Sequence, residues 1–72
     1  TLGHGVGRKI HEAPILYERH TKPILKKGMV VTIEPGIYIP NKLGIRIEDT
    51  LVVTPTKPII LTKSSKKLVV IN

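Results

Sequence analysis

The sequence predicts a fragment dominated by a mainly antiparallel β-sheet. From Gly28 onwards, runs rich in Val and Ile are separated by Pro, Gly, Asn and Thr, a composition typical of short strands joined by turns. No segment shows sustained helical periodicity. We therefore expect four strands, at residues 29–39, 45–53, 59–61 and 68–71, with a polar connection or a single helical turn before the last.

The segment before Gly28 is less regular. In residues 1–8 three glycines alternate with His4 and Val6, which lets a backbone pass close to a neighbour or take strained dihedral angles. An ordinary flexible loop is the default alternative for this run. Further on, Pro14 and Pro23 exclude a continuous helix, so residues 8–27 are expected to be loop with short extended pieces, with His20 at the surface.

Length and composition limit what the chain can be. Its 72 residues form at most one small domain, near the lower limit of independent stability. The chain has no cysteine, which excludes disulfides and thiolate zinc sites. It opens without methionine directly into the glycine run, so we expect an upstream portion to be missing. No apolar stretch is long enough to predict a membrane span, and a cytoplasmic location is expected.

Net charge alone suggests a nucleic-acid partner, because 12 Lys and Arg against 5 Asp and Glu give +7. The basic residues are scattered, however, and only Tyr17 and Tyr38 could stack on bases. Solvated lysines on loops and strand edges are the better interpretation. We expect no nucleic-acid partner. A small basic RNA-binding β-module is the alternative that these scattered lysines and scarce aromatics disfavour.

A pair of glutamates is the most informative feature. Glu34 and Glu48 each lie in a predicted strand, and the turn-rich residues 40–44 separate the two. A hairpin centred on Asn41 would place Glu34 directly opposite Glu48. Like charges at opposed positions are destabilising, so such a pair requires a metal ion, a shared proton or a nearby arginine.

Strand alternation also predicts which residues lie on the same strand face as these glutamates. Arg46 shares a strand face with Glu48 and could offset its charge, whereas Asp49 points to the opposite face. With His4 and His11, the two glutamates make a nitrogen and oxygen donor set that suits manganese, cobalt, iron or zinc better than calcium. A turn carboxylate at 34 and a strand-edge charge at 48 are the plain structural alternatives.

Four motifs resemble one family. GHGVG at residues 3–7, HE at 11–12, GMVVTIEPGIYI at 28–39 and GIRIEDT at 44–50 closely resemble the C-terminal part of Xaa-Pro dipeptidases (prolidases) and Xaa-Pro aminopeptidases. The resemblance implies the α+β pita-bread fold, of which this chain would be the C-terminal, mainly antiparallel β portion. Residues 1–72 would then be a fragment of a single catalytic domain, with no second domain.

The resemblance also implies a dinuclear metal site with two divalent ions, typically manganese or cobalt and sometimes zinc. His4 and Glu34 would be ligands of one ion, and Glu48 would bridge both. The family's two aspartate ligands precede the GHG motif and lie outside this sequence. The isolated chain would therefore carry three of five ligands and is expected to be inactive alone.

Substrate contacts follow from the same resemblance. His11 is similar to a non-ligand histidine that contacts substrate and stabilises charge developing on the attacked carbonyl. Arg46 and Tyr38 resemble groups that orient ligands or contact substrate. The implied substrate is an Xaa-Pro dipeptide or longer peptide, and a homo-oligomer is expected. A non-catalytic pita-bread binding module and a methionine aminopeptidase are the alternatives within this fold.

Overall fold

A computed structural model describes residues 1–19 and 24–71 and contains seven strands in two antiparallel sheets. The larger sheet has the order β2-β1-β3-β6-β7, and β4 pairs with β5 in a separate two-stranded sheet. The strands are β1 (Gly3–Gly5), β2 (Glu12–Leu16), β3 (Val30–Ile33), β4 (Gly36–Ile39), β5 (Leu43–Arg46), β6 (Asp49–Val52) and β7 (Ile59–Ile60).

The predicted hairpin centred on Asn41 is confirmed. Residues 36–39 pair with 43–46, and residues 30–33 pair with 49–52 in the same register. The turn is closed by the Lys42 N–H, which donates to the Ile39 carbonyl at 3.0 Å. Pro40 fixes its own φ, and Asn41 takes the left-handed region with φ 59°, which asparagine tolerates better than most residues.

Each of the two long predicted strands is in fact two strands. The first breaks at residues 34–35, and the second breaks at 47–48. Pro35 has no N–H for the ladder. The Glu34 N–H turns instead to the Leu2 carbonyl at 2.6 Å, and the Ile47 N–H donates to the Pro35 carbonyl at 3.3 Å. The chain therefore leaves the large sheet here and returns to it without losing register.

The glycine run is not a flexible loop, so that alternative is wrong. Gly3–Gly5 forms β1 between β2 and β3. A side chain at Gly3 would collide with the Thr32 carbonyl, and one at Gly5 would collide with the Ala13 carbonyl. The expectation that glycine permits a close backbone approach is confirmed. In residues 8–27 the expected short extended piece is β2.

The C-terminal strand prediction is wrong. Residues 68–71 form no regular element and are highly exposed, with Ile71 at 91%, because no strand in residues 1–19 and 24–71 lies beside them to complete a ladder. The strand predicted at 59–61 is present as β7. His20 lies outside the described residues. Residues 1–19 and 24–71 contain no helix that could serve as a membrane span.

The core is small. Among the described residues Val31 is the one fully buried large apolar side chain, beside the buried Thr32. The β4–β5 sheet presents an apolar face, on which Ile37 pairs with Ile45 and Ile39 pairs with Leu43, and all four side chains are exposed. Exposed faces of this kind mark surfaces that other protein covers or that associate.

The close approach of β1 predicts a graded response to alanine in the complete protein. Gly3→Ala meets backbone and cannot be relieved by a rotamer change, so it should lower stability by about 1–3 kcal/mol. Gly7→Ala meets only the carboxylate end of Glu12, which can move away. Thermal unfolding should rank Gly3→Ala as clearly more damaging than Gly7→Ala, and an equal loss would contradict this account of β1.

The exposed apolar face predicts that the 72-residue chain expressed alone associates or aggregates. Light scattering after size-exclusion chromatography measures this directly. A monodisperse monomer that melts cooperatively in dilute solution would be incompatible with the prediction.

Candidate metal centre

Three side chains that sequence analysis predicts as ligands meet at one point. His4 lies in β1, Glu34 follows β3, and Glu48 precedes β6. Each offers a donor atom, and these three atoms lie within 4.8 Å of one another. The shared register places the two glutamates opposite each other, and β1 brings the imidazole alongside them. No other group of three or more such residues in the described ranges has this geometry.

The His4 ring is held in one orientation. Its Nδ1 lies 2.9 Å from the Gly5 carbonyl, and because a carbonyl can only accept, Nδ1 carries a proton. In the neutral ring Nε2 is then a free lone pair, and it faces Glu34 Oε2 at 3.2 Å. Both side chains are largely enclosed, with His4 13% and Glu34 17% exposed.

Thr32 connects two of these groups. Its hydroxyl accepts a hydrogen bond from the His4 N–H at 3.1 Å and donates one to Glu34 Oε2 at 2.9 Å. Only 4% of Thr32 is exposed. The Glu34 carboxylate is therefore oriented by a buried hydroxyl from its own strand.

The two facing carboxylates have pKa shifts of opposite direction. The hydrogen bond with Glu48, followed by the bond from Thr32, lowers the pKa of Glu34 below its ordinary value. The same Glu34–Glu48 hydrogen bond, with desolvation and the negative charge of Glu34, raises the pKa of Glu48. Of the two carboxylates, Glu48 is therefore the one that takes up a proton first as the pH falls.

This donor set fits a divalent metal ion. An imidazole lone pair and carboxylate oxygens converge on one point, where they repel one another unless a proton or a cation lies between them. The protonated Nδ1 anchored on a backbone carbonyl is the arrangement that orients a ligating imidazole. Imidazole with carboxylates suits manganese, cobalt, iron and zinc.

The three side chains open into a cavity of about 420 Å³. His11 lines it, and its ring lies 4.3 Å from the His4 ring, centroid to centroid. Val6 and Ile10 form an apolar part of the wall. A molecule bound in this cavity would lie among a second imidazole, these apolar side chains and the two glutamates.

A short loop carries His11. The Gly7 N–H donates to the Lys9 carbonyl at 3.2 Å, and the Lys9 N–H donates to Glu12 Oε2 at 3.2 Å. Glu12 has no role in the sequence analysis, yet its carboxylate closes the loop that brings His11 to the cavity.

Arg46 and Tyr38 are placed differently. Arg46 lines the cavity, and its positive charge is a lesser cause that lowers the pKa of both glutamates. Tyr38 is 66% exposed and does not line this cavity. Its ring lies across Gly36 and Gly44, on the hairpin face that Arg46 shares.

Asp49 faces away from the glutamates, as strand alternation predicts. Its carboxylate accepts a hydrogen bond from the Thr62 hydroxyl and forms an ion pair with Lys66, whose Nζ lies 2.8 Å from Asp49 Oδ1. The Lys66 bond, followed by the Thr62 bond, lowers the pKa of Asp49. Its carboxylate is thereby engaged on the reverse face of the sheet.

Sequence analysis missed Thr32, Val6 and Ile10 at this site. The signal for Thr32 was its position two residues before Glu34, on the same strand face. Val6 and Ile10 give no comparable signal, because apolar residues beside glycines are ordinary. Their place in the cavity wall follows from the path of the loop that carries His11.

Comparison with known proteins assigns the class. The profile of metallopeptidase family M24 matches residues 1–55, and the chain belongs to this family. Family membership implies divalent metal ions, which agrees with the donor set that His4, Glu34 and Glu48 present.

Individual relatives are similar over nearly the whole chain. The Xaa-Pro dipeptidase of Pyrococcus furiosus is 52% identical over 68 residues, which cover 94% of this chain and 19% of that protein. The solved Xaa-Pro dipeptidase from Bacillus anthracis is 50% identical with a TM-score of 0.90, over 97% of this chain and 19% of its own. The X-Pro aminopeptidase from Thermotoga maritima is 41% identical with a TM-score of 0.89, over 99% and 20%.

The fold is therefore the C-terminal, mainly antiparallel β portion of the α+β pita-bread fold. The chain spans about a fifth of the length of the relatives it matches.

The raised pKa of Glu48 predicts pH-dependent metal binding. A metal ion requires both carboxylates ionised, and the pKa of Glu48 is raised. The affinity of the complete apo protein for Mn²⁺ should therefore fall as pH drops through the raised Glu48 pKa. Calorimetric titrations over about pH 4 to 8 measure this. An affinity for Mn²⁺ that does not change over that whole pH range would contradict the raised pKa of Glu48.

Proposed function

We propose that the complete protein is a dinuclear metal-dependent exopeptidase that hydrolyses Xaa-Pro peptide bonds, and that residues 1–72 are a C-terminal portion of its single catalytic domain. The observation that carries this proposal is the convergence of His4, Glu34 and Glu48 within 4.8 Å. Kinship with Xaa-Pro dipeptidases supports the substrate class.

In this proposal His4, Glu34 and Glu48 would hold the divalent ions, with His4 and Glu34 as ligands of one ion and Glu48 as a ligand that would serve both. Two aspartates from the upstream part of the polypeptide complete the ligand set. Bound divalent ions would lower the pKa of water towards neutrality and polarise the scissile carbonyl. In this proposal the described residues orient the donor atoms. The hydrogen bonds of His4 and Glu34 do so before any ion binds.

The cavity wall supplies the remaining functions. His11 stands beside His4 without a hydrogen bond to either glutamate among the described residues. Its imidazole is free to donate to the oxygen on which negative charge develops. Arg46 adds a fixed positive charge and the means to bind a carboxylate. Tyr38 lies on the same hairpin face as Arg46, and in this proposal it contacts the substrate.

The cavity is chemically suited to a short peptide that ends in proline. Val6 and Ile10 offer apolar surface, and Arg46 offers a guanidinium in the same wall. A proline at the C-terminus combines an apolar ring with a carboxylate. Manganese or cobalt as the metal, a cytoplasmic location and a homo-oligomer are further predictions for the complete protein.

The decisive experiment uses the complete protein that contains this segment. Release of proline from Leu-Pro is followed after metal removal, and again after addition of Mn²⁺ or Co²⁺. The unmodified protein should turn over only with metal. Glu48→Gln should lose roughly a thousandfold or more of kcat/KM, because the variant removes a ligand charge.

Asp49→Asn is the matched control, because it removes a carboxylate from the next residue on the opposite strand face. It should keep activity within about fivefold, since a partly exposed ion pair contributes little. A folded protein that releases no proline from Leu-Pro or from a longer Xaa-Pro peptide would refute the proposed function. It would favour a non-catalytic binding module.

A further inference from the structure

The hydroxyl of Thr32 occupies an unusual place between β1 and β3. Flanking backbone hydrogen bonds join Val6 to Val30 at 2.9 Å and Glu34 to Leu2 at 2.6 Å. Between them the His4 N–H donates to the Thr32 hydroxyl at 3.1 Å. A side chain thus serves as one rung of a ladder that backbone carbonyls otherwise provide.

The polarity of this rung is fixed. A hydroxyl has one proton, and the Thr32 oxygen already accepts from the His4 N–H. Its own proton is therefore directed to Glu34 Oε2, at 2.9 Å. With 4% of the residue exposed, water competes poorly for either bond, and buried polar groups lose most when a partner is removed.

Thr32 holds groups that the other contacts of these two residues leave unheld. The Gly5 carbonyl accepts from the His4 ring and the Leu2 carbonyl accepts from the Glu34 N–H, whereas Thr32 binds the His4 N–H and the Glu34 carboxylate. His4 lies between two glycines, which carry no side chains to pack and leave the backbone conformationally free. Glu34 lies where β3 ends, just before Pro35, so the ladder to β6 no longer holds it. One buried hydroxyl therefore fixes the backbone of the histidine and the carboxylate of the glutamate together.

We propose that Thr32 is a positioning residue that sets the metal affinity of the His4–Glu34 pair. This inference rests on the proposed role of those two residues as ligands. Thr32 contacts no metal in this scheme. It acts by holding the imidazole and the carboxylate at the separation seen here before the ion arrives, so that binding has less to order.

The test measures metal affinity of the complete apo protein by calorimetric titration with Mn²⁺. Thr32→Val keeps the shape of the side chain and removes both hydrogen bonds, so affinity should fall by about 10- to 100-fold. Thr32→Ser keeps the hydroxyl and should remain within about threefold of the unmodified protein. Unfolding temperature without metal identifies any loss that is purely structural.

Thr50→Val provides a matched control. Thr50 lies directly across from Thr32 on β6 and lines the same cavity. Its hydroxyl makes no hydrogen bond to His4 or Glu34 within the described part of the chain. The same substitution there should leave Mn²⁺ affinity within about threefold. A comparable loss at Thr50 would mean that hydroxyls in the cavity wall act generally, and the specific role of Thr32 would fall.

If Thr32→Val does not fold, the Ser and Ala variants decide the question. Both lack the methyl group, and they differ only in the hydroxyl. Ser should bind Mn²⁺ at least about tenfold more tightly than Ala. Equal affinities, or a Val variant that is less stable yet binds Mn²⁺ normally, would overturn the proposal. Failure of the proposed function appears separately, as metal-loaded unmodified protein that does not hydrolyse Xaa-Pro peptides.

Discussion

The structure depends on one antiparallel register that survives a break in the sheet. β3 pairs with β6 and β4 pairs with β5 in a register with a common centre at Asn41, although they belong to different sheets. Glu34 and Glu48 lie at the break. The common register keeps the two side chains opposite each other there, although neither residue belongs to a strand. The interaction between the two facing carboxylates lowers the pKa of Glu34 and raises the pKa of Glu48.

The third member of the cluster arrives through close backbone packing. β1 is only three residues long, and two of them are glycines whose missing side chains leave room for the carbonyls of Thr32 and Ala13. β1 can therefore lie close to both neighbouring strands and still place the His4 imidazole beside the two carboxylates. Hydrogen bonds from the His4 Nδ1–H to the Gly5 carbonyl and from the His4 backbone N–H to the Thr32 hydroxyl then orient the histidine.

Much of this could be predicted from sequence, because strand alternation and the register of a hairpin depend on residues that are near one another in the chain. Alternation placed Arg46 with Glu48 and turned Asp49 away, and turn chemistry centred the hairpin on Asn41. The breaks at Pro35 and residues 47–48 escaped prediction because a switch between sheets depends on a distant acceptor, the Leu2 carbonyl. Residues 68–71 have strand composition, but composition cannot supply a neighbouring strand. The rung formed by Thr32 likewise depends on contact with β1, which is far away in sequence.

The break at residues 34–35 and 47–48 also divides labour between the sheets. The clustered donors lie on or at the edge of the large sheet, whereas Arg46 and Tyr38 belong to the small one. The hairpin reaches the cavity through Arg46, whereas the hydrogen bonds that hold His4 and Glu34 come from Gly5 and Thr32 in the large sheet. A substitution in the β4–β5 hairpin can therefore change the cavity wall at Arg46 and leave the supports of the donor cluster in place.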